Sequence, residues 1–122
     1  MAVAEDFTIE EKEEQERMVL ESVDRFLERD VEPFAHDLEA DDTYPQEIVD
    51  KMVDMGLFGA TIGMEYGGLG LSVSTYAKIV ERVSTVWMSV SGIFNSHLIM
   101  AAAVERSGTE EQKAKWLPKF AS

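Results

Sequence analysis

Several groups of side chains in this sequence have types that could do chemistry, and spacing decides each case. Gly67-Gly-Leu-Gly70 is a glycine-rich run. A phosphate loop would follow its last glycine with Lys and then Ser or Thr, but Leu71 and Ser72 stand there. A dinucleotide fingerprint would need a third glycine and flanking strands, so this run predicts a tight connector between helices. Asp37, Glu39, Asp41 and Asp42 look briefly like a calcium loop. Its sixth position would then be Asp42 in place of Gly, and its twelfth Ile48 in place of Glu. A di-iron bundle needs Glu three residues before His, whereas Pro33 and Phe94 precede His36 and His97. No serine triad assembles, and the absence of cysteine removes thiol catalysis and thiolate metal sites. His97 lies in an apolar stretch and reads as a hydrogen-bonded core histidine in preference to a catalytic base.

That stretch dominates the elements that must position everything else. The 22 residues from Val83 to Val104 carry no charge. They are long enough to cross a bilayer. Ser84, Thr85, Ser89, Ser91, Asn95, Ser96 and His97 dilute their hydropathy, and no basic cluster flanks them, so a helix or helix pair buried on nearly all sides of a soluble protein is predicted. Thr8 and Glu11 form a capping box for a first helix, with Val19, Val23, Phe26, Leu27, Val31 and Phe34 as its stripe. Pro33 predicts an end or kink at Glu32, and 36–43 reads as a polar connection. Pro45 opens a second helix whose Ile48, Val49, Met52 and Met55 face inward, closed by Gly56 in the left-handed C′ position. Leu57 to Ile62 reads as extended and buried. Ser72 caps a third helix with the stripe Val73, Tyr76, Ala77, Val80, Val83 and Trp87. A fourth runs from about Ser89 to Ser107. Thr109 and Gln112 cap a fifth, which Pro118 interrupts.

Composition narrows the function classes. The chain has 122 residues, one domain's worth, and its 45% hydrophobic content suits a globular protein. A net charge of −13 argues against nucleic acid and against anionic membrane surfaces as partners. The acidic start without an apolar segment predicts no secretory signal and a cytoplasmic protein.

Three blocks, read in order, carry a resemblance. They are Pro45-Gln-Glu-Ile-Val-Asp-Lys-Met-Val-Asp-Met-Gly-Leu-Phe-Gly59, Glu65-Tyr-Gly-Gly-Leu-Gly-Leu71, and Gly108-Thr-Glu-Glu-Gln-Lys-Ala-Lys-Trp-Leu-Pro-Lys-Phe-Ala-Ser122. Together they resemble the N-terminal helical domain of acyl-CoA dehydrogenases, and Asn95-Ser-His-Leu98 is similar to part of that family's pocket helix. Gly63 and Met64 depart from the Pro-Glu common before Glu-Tyr-Gly-Gly. The distance from Asn95 to Gly108 also differs by a residue or two from the commonest pattern.

The resemblance implies an all-α fold, a helical bundle of about five helices, with residues 1–122 as the N-terminal domain. The family's middle β domain and C-terminal helical domain lie outside this sequence. It implies a parent enzyme that oxidises acyl-CoA thioesters with FAD. A carboxylate removes the α-proton while the β-hydrogen leaves as hydride, and a dry site holds both groups in place. Electron-transfer flavoprotein would be the redox partner. Separated from a middle domain, the chain is expected to expose apolar surface from Val83 to Val104 and from Leu57 to Ile62, and so to form a homo-oligomer, as dimers, higher oligomers or a swapped arrangement. By the same resemblance Val90, Ile93, Phe94, His97 and Leu98 are candidate substrate-binding residues on the pocket helix. The small residues Ser89, Ser91, Gly92 and Ser96 either leave room for an acyl chain or serve helix packing. The 122-residue chain alone is expected to be inactive and to bind no flavin tightly. Two other readings stay open: the same domain from a flavin-dependent oxidase or monooxygenase, and a stand-alone helical interaction module.

Overall fold

The computed structural model describes residues 7–122, which form five α-helices and no strand. Helix α1 (Ile9–Phe26) begins at the expected capping box: Glu11 N–H donates to Thr8 Oγ1 at 3.2 Å, and Thr8 N–H to Glu11 Oε2 at 2.7 Å. It buries Leu20, Val23 and Phe26. Pro33 neither ends nor sharply breaks the chain's helical path. The turn Leu27–Val31 widens to π geometry, Glu32 N–H reaches back to the Leu27 carbonyl, and α2 (Glu32–Ala40) continues beyond. Pro33 falls in the first turn of α2, a position that tolerates its missing N–H, and the π turn ahead of it takes up the irregularity. The stretch predicted as a polar connection is therefore helical as far as Ala40. Burial of Leu27, Val31 and Ala35 along one stripe outweighs its polar composition.

Helix α3 (Gln46–Asp54) has Pro45 as its N-cap, so it starts one residue after the predicted start, and it buries Ile48, Val49 and Met52 while Met55 is half-buried. Gly56 takes the left-handed conformation at φ 79°. The run after it is buried but not extended. Leu57–Gly59 is a 3-10 turn, and a second covers Met64–Tyr66. The glycine loop accounts for this difference. It folds back so that Leu69, Gly70 and Leu71 N–H donate to the Gly59, Ile62 and Ala60 carbonyls, each at 2.9 Å. Those bonds satisfy the run without a sheet partner.

Helix α4 (Val73–Ser107) is capped by Ser72, whose side chain accepts from Thr75 N–H. Its first half buries Thr75, Ile79, Val83 and Trp87, while Val73 and Ala77 from the predicted stripe are exposed. Polar contacts with α1 set this rotation. Thr75 Oγ1 donates to Glu16 Oε2 at 2.5 Å, Lys78 bonds the same carboxylate, and Arg82 lies 2.9 Å from Asp24. At Trp87 the backbone leaves helical geometry (φ −156°, ψ 101°), close to the boundary predicted between a third and a fourth helix. Ser84 Oγ to Ser91 Oγ (2.9 Å) and Ser91 Oγ to the Met88 carbonyl (2.7 Å) bridge the break.

Helix α4 is long and apolar enough to cross a membrane by length and composition, yet only 33% of its most apolar window is buried. Burial on nearly all sides is thus not observed. Helices α1, α2 and α5 and the 57–59 turn pack against it and cover one side. Helix α5 (Glu110–Ala121) starts at the predicted capping box of Thr109 and Gln112 and runs through Pro118 to Ala121. A proline inside a helix costs about 3 kcal/mol. Full burial of Leu117 and packing of Phe120 and Ala121 against the core offset that cost.

Candidate functional site

The glycine loop is filled by its own chain. A Cβ at Gly68 would lie 2.1 Å from the Ile62 carbonyl oxygen, so only glycine fits this crossing. The N–H groups of Leu69, Gly70 and Leu71 already point at protein carbonyls. A pyrophosphate would find neither free donors nor space there, and the residues of this loop do not fit a flavin's phosphates. Among the described residues no group of three His, Asp or Glu is arranged to hold a metal ion.

The five residues singled out from the sequence divide between inside and edge. Val90 and Phe94 are fully buried in the domain's own core, and Leu98 is 2% exposed. Phe94 meets Tyr76 edge to face at 6.3 Å. Ile93 is half-buried against the core. His97 is half-buried and turned toward α5, where Nε2 lies 2.6 Å from the Phe120 carbonyl oxygen. The core-histidine reading holds for its hydrogen bonding. Leu98 alone of the five also borders a surface groove.

That groove, of about 320 Å3, runs between the glycine loop and the second half of α4. Leu71, Val73, Leu98, Ile99 and Ala102 supply apolar lining, and Glu105 and Arg106 close one end. At its edge Tyr76 OH donates to Asn95 Oδ1, which fixes the Asn95 amide. Burial pushes the Tyr76 phenol up from its ordinary value of 10.0, so it remains a donor at neutral pH. The groove continues onto a face of α4 that the domain leaves uncovered. Met88 is 76% exposed and Ile99 61%, with Gly92 and Asn95 between them at helical spacing. A Cβ built on Gly92 would touch nothing within 4 Å. This open, uncharged stripe is the arrangement with chemical potential: an apolar wall with one polar fixture. The uncharged run and its small residues signalled such a wall, but nothing in them marked which side of the helix was open. The Tyr76–Asn95 pair, nineteen residues apart, had no sequence signal at all.

Comparison with known proteins gives one consistent family. Residues 13–122 match the family model described as acyl-CoA dehydrogenase, N-terminal domain. A (2S)-methylsuccinyl-CoA dehydrogenase of Cereibacter sphaeroides is 37% identical over 111 residues, covering 90% of this chain and 20% of that protein. A short-chain-specific acyl-CoA dehydrogenase of Clostridium acetobutylicum is 34% identical over 117 residues, covering 95% of this chain and 30% of that protein. A solved structure described as an electron transferring flavoprotein of Acidaminococcus fermentans superposes with a TM-score of 0.80 at 29% identity. The match covers 95% of this chain and 30% of that one. The chain therefore spans less than a third of these relatives' length.

Proposed function

Because the chain belongs to the acyl-CoA dehydrogenase family, as its N-terminal domain, we propose that it forms one wall of an acyl-CoA pocket in a flavin-dependent dehydrogenase. The observation that carries this reading is the open stripe Met88, Gly92, Asn95 and Ile99, contiguous with the groove at Leu98. In this reading the stripe touches the acyl chain, Leu98 flanks it at the groove, and Val90, Phe94 and His97 fix its position from behind.

A wall of this kind serves the reaction without touching a proton. Abstraction at Cα and hydride loss at Cβ both develop charge that water would disperse. Apolar side chains that exclude water and hold Cα and Cβ in register therefore lower the barrier. The Tyr76–Asn95 hydrogen bond keeps the single polar group on the stripe in one orientation, so that it does not compete for the substrate. A flavin, FAD in this proposal, would supply the hydride acceptor when bound. The glycine loop offers its phosphates no cradle, so in this proposal the rest of a longer polypeptide would hold it. An electron-transfer flavoprotein as redox partner is supported by the description of the superposing structure. Assembly as a homo-oligomer is supported by the extent of exposed apolar side chains.

The test is an Ile99→Phe variant of the flavin-loaded longer polypeptide, assayed for acyl-CoA oxidation across chain lengths. Ile99 is 61% exposed, so the change leaves the domain's own packing alone. Longer chains should lose about tenfold or more in kcat/KM relative to short ones, since a methylene in an apolar pocket is worth about 1–3 kcal/mol. An unchanged chain-length profile, or no acyl-CoA oxidation at all by the wild type, refutes the proposal.

A further inference from the structure

The neighbours of His97 assign it a task other than that of a wall residue. A carbonyl oxygen only accepts, so Nε2, 2.6 Å from the Phe120 carbonyl, carries the proton. The ring is gripped edge to face by Phe58 at 5.1 Å and by Phe120 at 5.3 Å. One residue further on, Ala121 sits against the glycines. A Cβ at Gly59 would lie 3.1 Å from the Ala121 carbonyl oxygen, and one at Gly67 would lie 4.0 Å from Ala121 Cβ. The same turn contains Pro118, which removes one of its own backbone hydrogen bonds. The last turn of α5 is thus deficient in helical bonds and is held instead from three sides: by α4 through His97, by the 57–59 turn, and by the glycine loop.

We propose that His97 is a positioning residue that registers the last turn of α5 against α4. It thereby fixes the direction in which the chain leaves residue 121 relative to the open α4 stripe. The glycines of the loop are then a seat for Ala121 and not a ligand site. Only the purpose of that registration rests on the acyl-wall reading; the registration itself does not.

Amide hydrogen exchange on the chain tests it, with His97→Phe, His97→Gln and Gly59→Ala as variants. His97→Phe keeps a ring but loses the donor. It should raise exchange of the α5 amides from Leu117 to Ala121 about tenfold, the scale of one hydrogen bond, while α1 to α3 stay as in the wild type. His97→Gln can present an amide N–H to the same carbonyl and should restore most of the protection. Gly59→Ala crowds the Ala121 carbonyl, 3.1 Å from the added Cβ, and should reproduce the Phe pattern. Equal acceleration in every helix would make His97 an ordinary core residue and overturn the proposal, as would no acceleration or no rescue by Gln. The readout uses no acyl-CoA. An intact exchange pattern beside an absent oxidation activity would therefore count against the acyl wall alone.

Discussion

Gly92 lies in the interior of α4, has no positive φ, and would meet nothing within 4 Å if it gained a Cβ. Neither backbone conformation nor packing inside this domain calls for glycine there. Glycine within a helix is destabilising by about 0.5–1 kcal/mol relative to alanine. Gly92→Ala should therefore stabilise the isolated domain by about that amount. With an unfolding entropy of about 2.1 cal/mol/K per residue, this corresponds to a Tm rise of roughly 2–4 °C for a chain of this length. The opposite effect is expected in the flavin-loaded longer polypeptide. There the methyl group projects into the space proposed for the acyl chain, and kcat/KM should fall for chains long enough to reach it, by about 1–3 kcal/mol or roughly 5- to 150-fold. Thermal unfolding followed by circular dichroism gives the first quantity, and a chain-length series of acyl-CoA oxidation gives the second. A lower Tm in the isolated domain would mean that Gly92 is packed after all. A stabilised domain with an unaltered chain-length profile would move the pocket away from this face.

Phe94 is fully buried, so Phe94→Ala should cost about 3–5 kcal/mol in a urea titration, with activity lost equally for all acyl lengths; a shifted length preference would instead put Phe94 in contact with substrate. Gly68→Ala brings a Cβ to 2.1 Å from the Ile62 carbonyl and should destabilise by more than about 3 kcal/mol, whereas a change under 1 kcal/mol, roughly, would refute the close crossing. The Lys78 and Thr75 hydrogen bonds hold the Glu16 carboxyl below its ordinary 4.5, and Lys51 does the same for Asp30. A depressed carboxylate stabilises above its unfolded pKa and ceases to as pH falls through its folded one. The urea midpoint should thus be level near neutrality, fall below about pH 4.5, and fall less steeply in Glu16→Gln.

Local signals in the sequence translated directly into structure. Both capping boxes form, and Gly56 takes the left-handed turn, because each depends on residues within four positions. Proline marked an irregularity at Pro33, as a π turn between two helices, but was misleading at Pro118, where no interruption occurs. At Pro33 a π turn absorbs the lost donor, and at Pro118 burial of Leu117 outweighs it. These are tertiary terms that no local rule contains. The rotation of α4 was misjudged for the same reason. Glu16, some sixty residues away, turns Thr75 and Lys78 toward α1 and so brings Ile79 inward in place of Ala77.

The site poses the reverse problem, because a run without charges carries no mark of inside and outside. Helix α1 declares its solvent face with Glu10, Glu14, Arg17 and Glu21, but from Val83 to Val104 the two faces of α4 are written in the same alphabet. Val90 and Phe94 on one side and Met88 and Ile99 on the other differ only in what packs on them. A helix face left to solvent ordinarily gains charged residues, since they cost nothing there and keep the chain soluble. Here 24 acidic and 11 basic residues are distributed over the rest of the chain, and none falls on the open stripe. A face made to be covered has no use for those charges. The smallest side chain on the stripe, Gly92, lies at its middle, where a covering body would come nearest to the helix backbone.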